Sequence, residues 1–311
     1  MQVHILLATY QGAAFLQQQL DSIARQSHTD WRLTISDDGS SDGTQAICER
    51  FAQTHPAHTI RLLEGPRRRS TANFFHLLAS VADDDPSEWF AFCDQDDVWL
   101  DDKLARAVTA LASALGEGRS AQPALYGART RWVDEHLHPL GESPLPARPL
   151  GFGNALLQNV ASGNTMVFNR PLLRLLQAYD PALAVVHDWT AYQLATGAGG
   201  LFHFDPTPAL LYRQHAGNLI GAQSRIRDRF QRLGLLWQGQ YRHWGELTER
   251  GLGALADRLT PQARHQLDAF RRVRHGSSAR HRLAALREGH LWRQTLAGQL
   301  SLHLGAALGR L

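Results

Sequence analysis

Cysteine and lysine are both scarce in this sequence. Its 311 residues include two cysteines, Cys48 and Cys93, and they form no CxxC pair. Both lie in apolar patterns, so we expect free, buried thiols in a reducing compartment. Lysine occurs once, at Lys103, which leaves arginine to carry nearly all of the basic charge.

Long apolar runs and two nucleotide-binding signatures are also missing. No uncharged apolar run is long enough to span a bilayer, and the first residues lack the basic start and long apolar core of a signal peptide. We therefore expect a cytoplasmic protein. No GxGxxG follows the first predicted strand, and no GxxxxGK[ST] occurs anywhere. The apolar fraction of 43% is ordinary for a globular protein, so disorder is not expected.

The charge is distributed unevenly along the chain. Residues 1–220 contain 16 basic and 23 acidic residues, whereas residues 221–311 contain 16 arginines and 6 acids. Such asymmetry indicates two parts with different partners. We divide the chain into one domain over residues 1–220 and a basic, Arg-rich extension over residues 221–311.

Short apolar runs alternate with segments of helical periodicity. Strands are predicted near residues 3–8, 31–35, 59–63, 89–93, 165–168 and 209–212, and helices over about 15–26, 44–51, 73–81, from 104, near 171–179 and over 188–196. This alternation indicates βαβ units and a mostly parallel sheet. The proline-rich segment 139–149 is predicted to be a surface loop, and only helices are expected after residue 222.

Two of the predicted strands end in acidic turns. Asp37 and Asp38 follow the second strand, while Asp94 and Asp96 follow the fourth. Parallel neighbours would bring these turns to the edge of the sheet where nucleotides lie in α/β proteins. Closely spaced carboxylates attract Mg²⁺ or Mn²⁺, which prefer oxygen ligands and share them with phosphates. The alternative is a solvated acidic turn with a structural role.

Five motifs resemble those of known enzymes. ATYQG at residues 8–12, DDGSSDGT at 37–44 and DQDDVW at 94–99 are similar, in order and spacing, to the successive motifs of family 2 glycosyltransferases. GNTMVFNR at 163–170 and YRQH at 212–215 are most similar to a rhamnosyltransferase-like branch from bacteria. The resemblance covers residues 1–220. It implies the α/β GT-A fold, with helices flanking a mostly parallel sheet, and sugar transfer from a nucleotide donor with Mg²⁺ or Mn²⁺.

The resemblance also implies roles for individual residues. Nucleotide-sugar binding falls to Thr9, Tyr10, Asp37, Asp38, Asp94, Gln95 and Arg213. Metal binding falls to Asp96, Asp94 and His215, and acceptor binding to Asn164, Thr165 and Trp189. Ala8 stands where relatives often have a hydroxyl residue, so one base contact is expected to be missing.

The expected general base is Asp188, because the sequence His187-Asp188-Trp189 resembles the family's acid-then-Trp motif. A carboxylate there would take the proton of the acceptor hydroxyl as that hydroxyl attacks the anomeric carbon. One such displacement inverts the anomeric configuration. The structural alternative for Asp188 is a helix N-cap.

These implications predict an inverting transfer of a sugar to a glycan or lipid-linked acceptor during bacterial surface polysaccharide synthesis. The resemblance predicts dTDP-rhamnose as the specific donor and rhamnose as the sugar transferred. The basic amphipathic pattern at residues 226–237 favours contact with the cytoplasmic face of a membrane, or else a bundle packed on the catalytic domain. Nucleic acid is not an expected partner. A sugar-phosphate nucleotidyltransferase and a non-catalytic nucleotide-sugar-binding module are the alternative functions.

Overall fold

The computed structural model describes residues 1–82, 87–116, 121–214 and 240–311. Within these ranges the chain forms two compact units. The sheet unit takes residues 1–145, 161–177 and 201–214, and the helical unit takes residues 146–160, 178–200 and 240–311. The division of the chain into domains at residue 220 stays a prediction. The helical unit takes segments from both sides of that residue.

Nine strands make up the sheet in the described part of the chain. They are β1 Val3–Thr9, β2 Trp31–Asp37, β3 Ile60–Glu64, β4 Trp89–Cys93, β5 Val98–Trp99, β6 Ala124–Val133, β7 Pro139–Glu142, β8 Val167–Asn169 and β9 Leu201–Arg213. The order is β3-β2-β1-β4-β8-β6-β9-β5, with β7 paired to β6. The strands β1 to β4 pair in parallel, as do β6 and β9, whereas β5, β7 and β8 join antiparallel.

Five helices accompany the described strands of the sheet unit: α1 Leu16–Ala24, α2 Thr44–Thr54, α3 Arg69–Ala79, α4 Lys103–Leu115 and α6 Arg170–Ala178. All seven residues of β1 are buried, which accounts for its largely apolar sequence. Leu16, Leu20 and Ile23 lie on the buried face of α1 and join the same core. Cys48 and Cys93 are free and buried, as predicted.

The helical unit contains the remaining described helices. They are α5 Phe152–Ala155, α7 His187–Gly197, α8 Gln240–Ala254, α9 Pro261–His275, α10 Ala279–Glu288 and α11 Leu296–Leu308. The prediction of a helical C-terminal region is confirmed over residues 240–311. None of the helices in the described ranges is long and apolar enough to cross a membrane.

The sequence pattern missed part of the sheet. Strand β6 is ten residues long and pairs with β7, β8 and β9, but Gly127, Arg129 and Arg131 break its apolar alternation. The prediction of a loop over 139–149 is wrong for its first four residues, which form β7. Their pairing is supported by ion pairs from Arg129 and Arg131 to Glu142. Likewise β9 begins at Leu201, eight residues before the predicted strand.

Candidate active site

The acidic turns meet at one edge of the sheet. Parallel pairing sets Thr9 of β1 beside Asp37 of β2, and Leu7 of β1 beside Cys93 of β4. The chain therefore leaves three adjacent strands at the same side, where ligands bind in α/β sheets. We call this region the acidic edge, comprising residues 9–12, 37–44 and 94–97.

Gln95 joins two of these turns through its side-chain amide. Its Oε1 accepts hydrogen bonds from Thr9 Oγ1 at 2.6 Å and from the Tyr10 backbone N at 2.8 Å. Its Nε2 donates to the Tyr10 carbonyl at 3.0 Å. The Tyr10 side chain stays 56% exposed, which leaves its ring open to a ligand. Gln95 thus sets the position of the loop that carries Tyr10.

Asp37 shapes the turn after β2. Its Oδ1 accepts a hydrogen bond from Ser40 Oγ at 2.5 Å, and its Oδ2 accepts from Ser40 N at 3.0 Å and from Gln45 Nε2 at 2.9 Å. Gly39 and Gly43 of this turn have φ values of +95° and +94°, a backbone region that favours glycine. These contacts make Asp37 an organiser of the turn.

Asp38 holds the start of α3. Its Oδ1 accepts from Arg67 N at 2.5 Å, and its Oδ2 accepts from Arg69 N at 3.0 Å. Both arginines have positive φ, at 56° and 73°, a strained conformation that the carboxylate helps to maintain. The Arg67 side chain lies over Gly39, where an added Cβ would come within 3.1 Å of Arg67 Nε. A guanidinium therefore accompanies the carboxylates at the acidic edge.

Asp97 is the buried member of the DQDDVW motif. Its side chain is fully inaccessible, with Oδ2 accepting from Asn164 Nδ2 and Oδ1 accepting from Arg213 N at 3.3 Å. Burial, followed by the neighbouring Asp96 and Asp94 carboxylates, raises the pKa of Asp97 well above its usual value. Asn164 is itself 1% exposed, so its hydrogen bond to Asp97 holds the buried part of the motif in place.

Arg213 ends β9 and is also 1% exposed. Its Nε donates to the Asp96 carbonyl at 2.9 Å. Its Nη1 donates to the Glu135 carbonyl, and its Nη2 donates to Gln18 Oε1 at 2.5 Å. The guanidinium also lies 4.5 Å from the centre of the Phe15 ring. These contacts tie the DQDDVW turn to α1 and to the segment after β6. A phosphate contact by Arg213 remains a prediction.

The buried side chain of Lys103 contacts Trp99, the last residue of the DQDDVW motif. Lys103 begins α4, is fully buried, and places its Nζ 3.1 Å from the centre of the Trp99 ring. Its Nζ has no hydrogen-bond partner within the described ranges. Burial lowers the pKa of Lys103 to about 7, against the opposing influence of Cys93, Asp97 and Asp94. Sequence reasoning noted Lys103 only as the sole lysine and assigned it no role.

Two carboxylates of the acidic edge fit a divalent cation. Asp94 directly follows β4, Asp96 lies two residues on, and both are half-buried. In the described part of the chain, no three His, Cys, Asp or Glu side chains are grouped as a metal cage. One or two carboxylates completed by substrate phosphates and water are the common set for Mg²⁺. The third predicted ligand, His215, lies outside the described residues.

Thr165 is the least accessible of the predicted acceptor residues. It is 0% exposed, with its hydroxyl accepting from Ala128 N at 3.1 Å and donating to Ser162 O at 2.7 Å. Those bonds anchor the segment before β8. The predicted acceptor roles of Asn164 and Thr165 stay predictions.

Asp188 belongs to the helical unit. It is the second residue of α7, is half-buried, and accepts a hydrogen bond from Trp189 N at 2.6 Å through Oδ1. The Trp189 indole donates to the Ala155 carbonyl at 2.6 Å, which fixes the start of α7. Burial lowers the pKa of His187 to about 3, so its imidazole is neutral. An acidic residue therefore lies in the first turn of the helix, with one carboxylate oxygen engaged by the backbone.

The mixed sheet with acidic turns after neighbouring parallel strands has the features expected of a GT-A glycosyltransferase, and the comparisons with known proteins show the family. Residues 4–153 match the family model for glycosyl transferase family 2. A dTDP-rhamnosyl transferase, RfbG, from Shigella flexneri is 30% identical over 261 residues, which cover 81% of this chain and 85% of that protein. The chain belongs to the family 2 glycosyltransferases.

Two solved structures share the fold. The mannosyltransferase PcManGT from Pyrobaculum calidifontis, in complex with GDP-Man and Mn²⁺, has a TM-score of 0.51 at 18% identity, over 98% of this chain and 79% of that one. S. aureus TarS 1–349, in complex with UDP-GlcNAc, has a TM-score of 0.52 at 13% identity, over 99% and 91%. At these identities the likeness establishes the fold alone.

Proposed function

We propose that this enzyme transfers rhamnose from dTDP-rhamnose, with inversion, to a glycan or lipid-linked acceptor in bacterial surface polysaccharide synthesis. The observation that carries donor binding is the acidic edge, where Gln95 fixes the exposed Tyr10 beside Asp94 and Asp96. The identity of 30% with a protein named as a dTDP-rhamnosyl transferase supports the choice of donor.

In this proposal Tyr10 and the turns of Asp37 and Asp38 surround the nucleoside, while Asp94 and Asp96 hold Mg²⁺ or Mn²⁺. A divalent cation would neutralise the diphosphate that leaves the sugar. The half-buried position of both carboxylates supports this role, because a partly dry site strengthens their attraction for a cation. Metal dependence is accordingly part of the proposal.

Asp188 is the proposed base. Its carboxylate would remove the proton of the acceptor hydroxyl as the sugar's anomeric carbon is attacked and the nucleoside diphosphate departs from the opposite face. Its Oδ1 accepts a hydrogen bond from Trp189 N at 2.6 Å. The same backbone bond would orient the carboxylate.

Peripheral contact with the cytoplasmic face of a membrane completes the proposal. A lipid-linked acceptor would lie at that surface, and the excess of arginine over acidic residues after residue 220 suits anionic lipids. Residues 226–237, on which the sequence prediction of this contact rested, lie outside the described residues.

A thermal-shift panel tests donor and metal together. The protein is heated with UDP, dTDP, GDP or CDP, each with and without Mn²⁺. A ligand that binds only the native state stabilises it by mass action, by about 2.7 kcal/mol at a hundred times its Kd. We expect the largest rise in Tm with dTDP, and only when Mn²⁺ is present.

Each other result is informative. A shift with UDP but not dTDP would overturn the donor assignment, and a full shift without Mn²⁺ would overturn metal dependence. No shift with any nucleotide would remove the acidic edge as the donor site. In a turnover assay, release of pyrophosphate in place of dTDP would indicate a nucleotidyltransferase.

A further inference from the structure

Helix α11 is apolar on two opposite faces. It spans 13 residues, Leu296–Leu308, and contains no charged side chain. Leu302, Gly305 and Ala306 are buried within the helical unit. The opposite face presents what we call the leucine stripe. Its members recur every fourth residue and expose 86%, 73%, 57% and 58% of their side chains: Leu296, Leu300, Leu304 and Leu308.

Both ends of α11 are fixed in place. Thr295 caps the N-terminus by accepting from Gly298 N at 3.0 Å. At the C-terminus, Arg282 of α10 donates to the carbonyls of Ala306 at 2.6 Å and Ala307 at 2.7 Å, and Gly309 ends the helix with φ of +65°. The leucine stripe is therefore a surface of an anchored helix and not the result of a fraying terminus.

Such a surface is unusual on a helix that faces water. A surface helix normally places charged and polar residues opposite its buried face. Leucines at i, i+4, i+8 and i+12 lie on one side of the helix, so their exposure is contiguous and not scattered. A contiguous exposed apolar patch marks a surface that binds a partner, such as a membrane or another protein.

The charge of the C-terminal segment favours an anionic lipid surface. Residues 271–311 contain eight arginines and a single acid, Glu288, and residues 289–311 contain no acid at all. Arg280 and Arg287 are exposed on α10, which packs against α11. An apolar helical face in a segment with an excess of positive charge matches an interfacial helix on an anionic bilayer.

We propose that α11 is the membrane-contacting element of this enzyme, with the leucine stripe inserted among the acyl chains of an anionic lipid surface. The proposal deepens the membrane contact proposed above and assigns it to a described helix. A helix of 13 residues is about 20 Å long, shorter than the ~30 Å of a bilayer core, so α11 lies in the interface and does not cross.

A second copy of the chain fits the stripe less well than lipid does. Stable dimers bury about 800 Å² on each partner, whereas the leucine stripe is one side chain wide. Two copies would also bring the excess positive charge of their C-terminal segments together, and like charges repel across an interface.

Vesicle flotation of the full chain tests this assignment. Vesicles of phosphatidylcholine alone are compared with vesicles that also contain phosphatidylglycerol. We expect the wild type to float with the anionic vesicles only. Leu300→Gln combined with Leu304→Gln should lower the bound fraction at least about tenfold, because two inserted side chains become polar.

The chain offers a matched control. Leu140 and Leu145 of the sheet unit are 58% and 48% exposed, so Leu140→Gln with Leu145→Gln makes the same chemical change at similar exposure. This control should float like the wild type. If the stripe variant fails to fold, the single change Leu296→Gln, at the most exposed leucine, replaces it.

Three results would overturn the assignment. One is a wild type that floats with neither vesicle, and another is a stripe variant that floats as well as the wild type. The third is a wild-type dimer in light scattering that the stripe variant converts to a monomer without any vesicle binding. Since the assay contains neither donor nor acceptor, it can fail while dTDP binding and sugar transfer persist.

Discussion

The side-chain amide of Gln95 pairs with the backbone of Tyr10, accepting from its N at 2.8 Å and donating to its carbonyl at 3.0 Å. The two residues lie 85 positions apart in the sequence. This pairing makes the loop after β1 and the turn after β4 one rigid piece. The nucleoside contact and the metal ligands of the proposed site are therefore positioned together.

Gln95→Ala should weaken donor binding. The change removes all three hydrogen bonds and leaves the buried Thr9 hydroxyl without its acceptor, which costs about 1–3 kcal/mol of unfolding free energy. Displacement of the Tyr10 loop should raise the donor KM roughly tenfold or more. Gln95→Glu keeps the size of the side chain but loses the Nε2 donor. Its donor KM should lie between those of the wild type and Gln95→Ala.

Gln53→Ala is the control for this change, because Gln53 is exposed on α2. It should leave both stability and KM unchanged. An unchanged donor KM in Gln95→Ala, measured by steady-state kinetics, would show that the pairing does not position the donor site.

Asp96→Asn should abolish metal-dependent turnover while the protein stays folded. A neutral amide binds a divalent cation much more weakly than a carboxylate does, so the Mn²⁺-dependent part of the dTDP thermal shift should disappear with activity. Activity near that of the wild type would remove Asp96 from the metal site. Asp101→Asn is the same change at an exposed acid five residues along. It should keep both the activity and the Mn²⁺-dependent thermal shift.

Asp188→Asn separates binding from chemistry. We expect dTDP and Mn²⁺ to stabilise the variant as they do the wild type, because the amide oxygen can still accept from Trp189 N. Transfer should fall by about 10²–10⁴-fold, since an amide cannot take the acceptor proton. Equal transfer rates would exclude Asp188 as the base. Asp257→Asn, at an exposed acid of the helical unit, is the matched control.

Arg213→Lys should destabilise the fold. An ammonium cannot reproduce the three directed hydrogen bonds to Asp96, Glu135 and Gln18, so the unfolding free energy should fall by about 2–3 kcal/mol in denaturant titration. Arg131→Lys provides the comparison. Arg131 is 45% exposed and pairs with Glu142 at the surface, so its replacement should cost far less. Equal stabilities for the two variants would contradict the structural role of Arg213.

Lys103 should make stability depend on pH. Burial lowers its pKa to about 7, whereas in the unfolded chain the group stays protonated to about pH 10.4. Between these values the unfolded state binds more protons, so the free energy of unfolding rises with pH, by up to about 1.4 kcal/mol per pH unit from this group.

Lys103→Met keeps the length of the side chain and removes the charge. The unfolding free energy of the wild type minus that of the variant, measured at pH 7, 8 and 9, should increase with pH. Because other titrating groups are common to both proteins, they cancel in this difference. A difference that is flat or falls with pH would mean that the pKa of Lys103 is not lowered in the folded protein.

Local patterns were sufficient for the first four strands, because each is a short, apolar-rich segment bounded by turn residues. They also located the acidic edge, since parallel pairing leaves little choice about where the turns after β1, β2 and β4 emerge. The pattern failed at β6, where Arg129 and Arg131 interrupt the apolar alternation. That strand is stabilised by its neighbours β7, β8 and β9, and not by its own composition.

Motif and spacing thus determined the family, the fold class and the acids of the proposed site. The long-range side-chain partners were decided by tertiary structure alone, since they come from distant segments. Arg213 reaches Gln18 across 195 positions, and Asp97 receives the Arg213 backbone N across 116. No local pattern encodes such contacts. They arise when the sheet closes and buried polar groups must find whichever partner lies within hydrogen-bond reach.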